Sequence, residues 1–486
     1  MTEPTLQARS GSRWRGPAWA LHLLVLIVAL AWPFLADPGR FGLPTQGAFA
    51  RIIGALPISD TLLRMSARSL LVWCCAMLAM LAVPWQPVVA VIVYAGVAVT
   101  YQYDLPGLHM QRSLWMTALA VTGTLVWMAR RRIRLHWPPA RSWPTWIMLL
   151  LTLWLAIASG LAWRRTGIWH PTPITGAPYY HDTFYWLVCL VMFVLASQFA
   201  GSRQGSFWLA LVIVVMLGVR LRVLIPSVWR SEDSASLMVI TMPLMWLALR
   251  ACPWRRLGWW VLAGGMFLLV LSLLKKLYST QNRAAALALC AALAAYALIT
   301  RWRWALVPLL AGLVLGVGVY FSHTQYAQRF RDLLDHGPQS DSAIARLKIW
   351  HAAWEMTQDH PWTGVGPGEF PRVLHRYNAK IGFYPAHNNF LGMLAETGIP
   401  GLTLYSLLFL GMLCHLWRTG TIGGPDWPGP AARLLFPCLV AYLVVGLFIS
   451  REDLPLAYIL AGWGVALYNQ MTGPDLLQPA LPAAAH

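Results

Sequence analysis

A succession of apolar windows, each close to the roughly 20 residues that a helix needs to cross hydrocarbon, constrains this chain more than any other feature. The windows fall at about 17–36, 69–84, 86–102, 112–129, 144–163, 183–200, 206–224, 235–251, 257–274, 284–300, 304–322, 388–416, 432–450 and 454–469. Only 11% of the 486 residues are charged, where soluble domains carry about one quarter. A set of soluble domains is therefore excluded, and most of the chain belongs in a bilayer. The windows 69–84 and 86–102 meet at Pro84-Trp85-Gln86-Pro87, which leaves room only for a tight turn and predicts a helical hairpin.

The net charge of +19 is at odds with so apolar a chain, because charge in lipid is costly. Short basic loops favour the cytoplasm. Placing Arg9, Arg13 and Arg15 inside also puts Arg130-Arg131-Arg132, Arg203, Arg250, Arg255-Arg256, Arg301, Arg303, Arg418 and Arg433 inside. That topology predicts cytoplasmic termini and a first helix retained in the mature chain, since no small-residue cleavage pattern follows it. It divides the chain into helices 1–11 with short loops over 1–322, a loop on the outer face over 323–387, and C-terminal helices with a cytoplasmic tail over 388–486. Most of the positive charge is then a matter of threading.

The cations left outside gather at span ends: Arg164-Arg165, then Arg220, Arg222 and Arg230, then Lys275, Lys276 and Arg283. Snorkelling explains any one of them, but three groups on one face suit a phosphate-linked lipid, because guanidinium binds phosphate through paired hydrogen bonds. The outside acidic pairs, Glu232-Asp233 and Glu452-Asp453, are flanked by Arg230 and Arg451 and read as salt-bridged loop ends. No metal site is expected. The seven cysteines lie in or beside spans and form neither a disulfide framework nor a CxxC pattern. Nothing calls for a nucleic-acid partner. Apolar residues from Ile344 to Met356 recur at near-helical spacing, which predicts an amphipathic helix at about 341–358 on the membrane surface or over the cavity.

The sharpest local pattern closes the long outside loop. His387-Asn388 is followed by nine residues, then Gly398-Ile399-Pro400-Gly401. An imidazole there can take a proton from a sugar hydroxyl near neutral pH. This stretch resembles the signature of the O-antigen ligase and O-antigen polymerase superfamily, a His followed by Asn, Ser or Gln, nine residues, and Gly-x-x-Gly. Arg346 to Trp350 and Asp359-His360-Pro361 through Gly364, Gly366, Gly368 and Phe370 resemble the family's upstream run. Ser279 to Arg283 resembles its Ser-Arg element, with Asn282 where Ser is more usual.

What the resemblance implies is an all-α polytopic membrane protein, a GT-C-type bundle of about 12–14 transmembrane helices with a large periplasmic loop. The implied activity is glycan transfer from undecaprenyl pyrophosphate to a hydroxyl of a lipid A-core acceptor, without cofactor or metal and with inversion, in the bacterial inner membrane. A polymerase or protein O-oligosaccharyltransferase of the same superfamily, and more distantly a flippase, are the alternatives. His387 would be the general base and Arg283 would hold the departing pyrophosphate. Arg222 or Arg230 is expected as the second arginine, with Arg220 in the same connection. Arg346, Asn388 and Glu396 complete the expected substrate-binding set; Glu396 is expected either to orient His387 or to cap and pack the helix.

Overall fold

The computed structural model describes residues 20–27, 75–101, 108–131, 143–166, 183–223, 231–254, 256–280, 282–300, 341–378, 384–450 and 454–472. Among them there is no strand. The helices are α1 (Val88–Tyr101), α2 (Leu108–Arg131), α3 (Trp143–Thr166), α4 (Thr183–Phe199), α5 (Arg203–Val223), α6 (Ser231–Ala251) and α7 (Arg256–Thr280). They continue with α8 (Arg283–Ile299), α9 (Asp341–Asp359), α10 (Phe370–Tyr377), α11 (Asn389–Ile422), α12 (Gly429–Gly446) and α13 (Pro455–Thr472). The tight turn expected around residues 84–87 is present between a 3-10 turn at Met80–Ala82 and α1. The window at 304–322 and most of that at 17–36 lie outside the described residues, as does Arg230.

Among the described residues, three helices are long and apolar enough to cross a membrane, Trp143–Arg165, Asn389–Ile422 and Gly429–Gly446, and further apolar helices are shorter. The chain is an all-α polytopic membrane protein. Its outward side chains fit that solvent: on α7, Leu257 is 79% exposed and Val261 68%, as suits a surface that faces lipid. Inside the bundle, α13 is buried along Pro455–Leu467 and packs on α4, α11 and α12. Trp463 is fully buried and donates its indole N–H to Ser206 Oγ at 2.9 Å, as an indole must find a partner in an apolar core.

Two sets of contacts fix which helix ends lie together. At one end, Trp427 donates to Gly201 O, Arg433 donates to Gly420 O and Gly424 O, and Gly420 lies against Ile299. At the other end, Asn282, just before α8, donates to Ser236 Oγ on α6, and Asn389 lies against Gly446 at the end of α12. The second end also carries α9 and α10, so it is termed the capped end. The helix expected at about 341–358 is α9, and it buries Ile349, Ala352, Ala353 and Met356 against Val365, Phe370, Leu374, Ala386 and Ala395.

The window expected as one span at 388–416 is two helical arms. Gly398 has φ 71° and ψ −172° inside α11. Asn389 nevertheless donates to Tyr405 Oη at 3.3 Å, and Phe390 lies 5.9 Å from the Tyr405 ring. Sixteen residues of straight helix would separate positions 389 and 405 by about 24 Å, beyond the reach of these side chains. The arm 389–397 therefore doubles back along the start of the longer arm 399–422. His387 is carried down beside the bundle while the corner at Gly398 stays at its capped end.

Replacing Trp463 with Phe leaves a void and strips Ser206 of its donor. The expected loss is about 1–3 kcal/mol, read as a lowered thermal unfolding midpoint of the purified protein in detergent.

Candidate active site

The corner at Gly398 has a backbone problem that the sequence itself creates. In a continuous helix the carbonyl of residue 395 would accept from the N–H of residue 399, and that of residue 396 from residue 400. Position 400 is proline, which has no N–H, and the turn at Gly398 points the N–H of Ile399 elsewhere. The orphaned groups find partners in the segment 361–366. Val365 N donates to Ala395 O at 2.8 Å, Gly366 N to Glu396 O at 2.9 Å, and Ile399 N to Pro361 O at 2.8 Å. From α3, Trp154 Nε1 donates to Thr397 O at 2.9 Å. The Gly-x-x-Gly motif and the glycine loop are thus two halves of one joint.

Contact across this joint is so close that only glycine fits on each side. A Cβ at Gly398 would overlap Trp362 O, and one at Gly364 would overlap the Glu396 carbonyl. Both residues have positive φ, where a side chain is strained in any case. Glu396 completes the joint: its buried carboxylate accepts from Gly368 N at 2.9 Å and Phe370 N at 3.3 Å. It caps the start of α10 from another helix, the backbone-capping role that sequence reasoning weighed against orienting His387. The donors of the glycine loop are consequently spent within the protein and form no phosphate cradle.

His387 follows this joint in space and precedes α11 in sequence. It is half buried and has φ 53°, a left-handed conformation that costs an ordinary L-residue about 1–2 kcal/mol. Its neighbours hold it there. Trp350 of α9 donates to Ala386 O at 3.0 Å, immediately before it. Asn388, immediately after it, caps α11 by accepting from Phe390 N and Leu391 N, and donates to Leu447 O at 3.2 Å. Arg346 stands one turn before Trp350 on the same flank of α9.

The backbone also brings the expected arginine positions to this end. From Ile299 to Arg283, α8 rises about 24 Å; from Gly420 to Tyr405, α11 rises about 22 Å; from Arg433 to Gly446, α12 rises about 20 Å. Since these helices start level at the far end, Arg283, the end of α12 and Asn389 reach a similar height. Asn282 accepts from Ala285 N at 3.0 Å and ties α8 to Ser236, so the residue standing in place of the usual serine serves as the helix cap. Arg220 and Arg222 lie in the last turns of α5, which ends where α6 begins. The side chains of Arg222 and Arg283, like Arg230 as a whole, lie outside what is described.

Arg165, one of the outside cations that gather at span ends, has a role that sequence reasoning missed. Its guanidinium donates to Gly364 O at 2.8 Å and to His360 Nδ1 at 2.9 Å, clamping the glycine loop to α3. Only long-range geometry reveals it, because 195 residues separate Arg165 from His360. Since arginine can only donate, His360 Nδ1 accepts and the imidazole is neutral, with its proton on Nε2. Burial first, and the Arg165 charge second, hold the His360 pKa below its ordinary value against the pull of Asp359. Tyr377 is pushed up to about 12 by burial and by its hydrogen bond with Asp359, so it remains a neutral donor.

Residues 267–406 match the family model described as O-antigen ligase. No curated protein matches the chain. The joint, the His387 turn and the start of α8 all lie within the matched residues.

Two outcomes follow from this geometry. Gly398→Ala forces a strained backbone against Trp362 O, with an expected cost of about 3 kcal/mol or more, and should open 360–369 to protease while the membrane helices stay intact. The His360 contribution is fully present above the unfolded histidine value of about 6.5 and is lost as pH falls through and below it. The protection of the Val365 and Gly366 amides, measured as exchange relative to the unstructured rate at each pH, should therefore fall between about pH 7 and pH 5, and less so in His360→Asn. Through the segment 267–406, less than a third of its length, the chain is similar to the O-antigen ligase family.

Proposed function

We propose that this protein transfers an O-antigen glycan from undecaprenyl pyrophosphate to a sugar hydroxyl of a lipid A-core acceptor at the periplasmic leaflet of the bacterial inner membrane. The match over residues 267–406 supports activity of the O-antigen ligase or polymerase type; donor, acceptor and mechanism go beyond it. One observation carries it. His387 is pinned in a left-handed turn at the end of the bundle where the backbones of Arg283 and Arg222 also arrive.

In this reading His387 removes the proton from the acceptor hydroxyl as the oxygen attacks the anomeric carbon. The bond to the pyrophosphate oxygen breaks, and the configuration at that carbon inverts. Arg283, with Arg222 or Arg230, meets the charge that grows on the departing pyrophosphate, an electrostatic contribution fixed before reaction begins. Arg346 lies on the α9 flank that approaches His387 and is assigned to substrate. Asn388 and Glu396 act through the backbone that they hold. No metal takes part, so transfer is expected to continue in chelator.

The test is transfer by purified protein from a lipid-linked glycan donor to a lipid A-core acceptor. His387→Ala should lower the rate by about 10²–10⁴-fold. His387→Asn, which tolerates the left-handed turn but offers no base, should be equally inactive while folding normally. In cells lacking the protein, loss of all attached glycan with lipid-linked polymer retained supports the ligase. A single attached repeat would instead indicate a polymerase, and donor trapped on the cytoplasmic leaflet a flippase.

A further inference from the structure

Beside His387 lies a polar cluster inside the apolar bundle. Asn389 is 1% exposed, and its amide donates to Tyr405 Oη at 3.3 Å and Tyr442 Oη at 3.4 Å. The two phenols are 2.9 Å apart, and both residues are fully buried. A Cβ at Gly446 would lie 2.6 Å from Asn389 Nδ2, so the end of α12 is shaped to admit this amide. Buried polar groups in a membrane bundle are costly unless they hold something in place. The three residues come from both arms of α11 and from α12, and α12 is also the helix against which α8 packs.

We infer that Asn389, Tyr405 and Tyr442 are positioning residues for transfer. They lock the doubled-back arm at the height where α8 begins, and so set the distance between His387 and Arg283. Asn388 adds a second tie to α12 through Leu447 O, but its capping bonds already occupy it. The cluster fixes the depth of the arm, and the cap fixes its direction. This inference rests on the proposed roles of His387 and Arg283.

The experiment compares Asn389→Ala, Tyr442→Phe and the double variant with His387→Ala, using purified protein, a lipid-linked glycan donor and a lipid A-core acceptor. Asn389→Ala should lower kcat at least 10-fold while KM for the donor changes less than 3-fold. Tyr442→Phe should lower kcat less, and the double variant should be no slower than Asn389→Ala, because the residues act as one unit. A kcat for Asn389→Ala within 2-fold of wild type, with His387→Ala inactive, overturns the inference alone. A kcat loss that only tracks loss of folded protein, read from the thermal midpoint, also overturns it. If His387→Ala keeps wild-type transfer, the proposed function itself fails.

Discussion

Buried backbone amides need partners, and the break at Gly398 is where this protein meets that demand from outside the helix. An interrupted helix shielded from water survives only where other protein groups complete it. Pro400 removes one donor and the Gly398 turn redirects another. The glycine loop and Trp154 take up the carbonyls set free. Everything distinctive about the site depends on this joint: the doubled-back arm, the depth of His387, and the seating of α9 and α10 on α11.

The joint also assigns roles to charges that look similar in sequence. Glu396 is buried, and its carboxylate holds the N–H groups of Gly368 and Phe370. Arg165 is spent on Gly364 O and His360. The backbones of Arg222 and Arg283, at the end of α5 and the start of α8, arrive at the end of the bundle where the proposed pyrophosphate site lies.

The sequence disclosed what depends on local pattern. Hydropathy placed most described helices within a few residues, and the near-helical spacing of apolar residues from Ile344 to Met356 disclosed α9, although Leu347 and Trp354 of that set are exposed and the buried face is Ile349, Ala352, Ala353 and Met356. The His387-Asn388 and Gly398-x-x-Gly401 spacing pointed to the segment that matters. Hydropathy could not disclose the reversal at Gly398, because both arms are apolar and read as one window of 388–416. Nor could it pair Trp350 with Ala386, Trp154 with Thr397, or Arg165 with Gly364, since each pair joins distant parts of the chain. Asn389 falls among the nine variable residues of the motif; only burial against Tyr405 and Tyr442 distinguishes it from the helix cap at Asn388.

The doubled-back arm also bears on the order in which the protein can be completed. The arm 389–397 is too short to span a bilayer, and its last carbonyls are satisfied by residues 365 and 366, which belong to the capping segment. Its partners Tyr442 and Leu447 come from a helix synthesised after it. The arm therefore has no finished hydrogen bonding until the capping segment and α12 are both in place. Secondary structure alone cannot produce the site; it is finished by docking, after the spanning helices have been inserted.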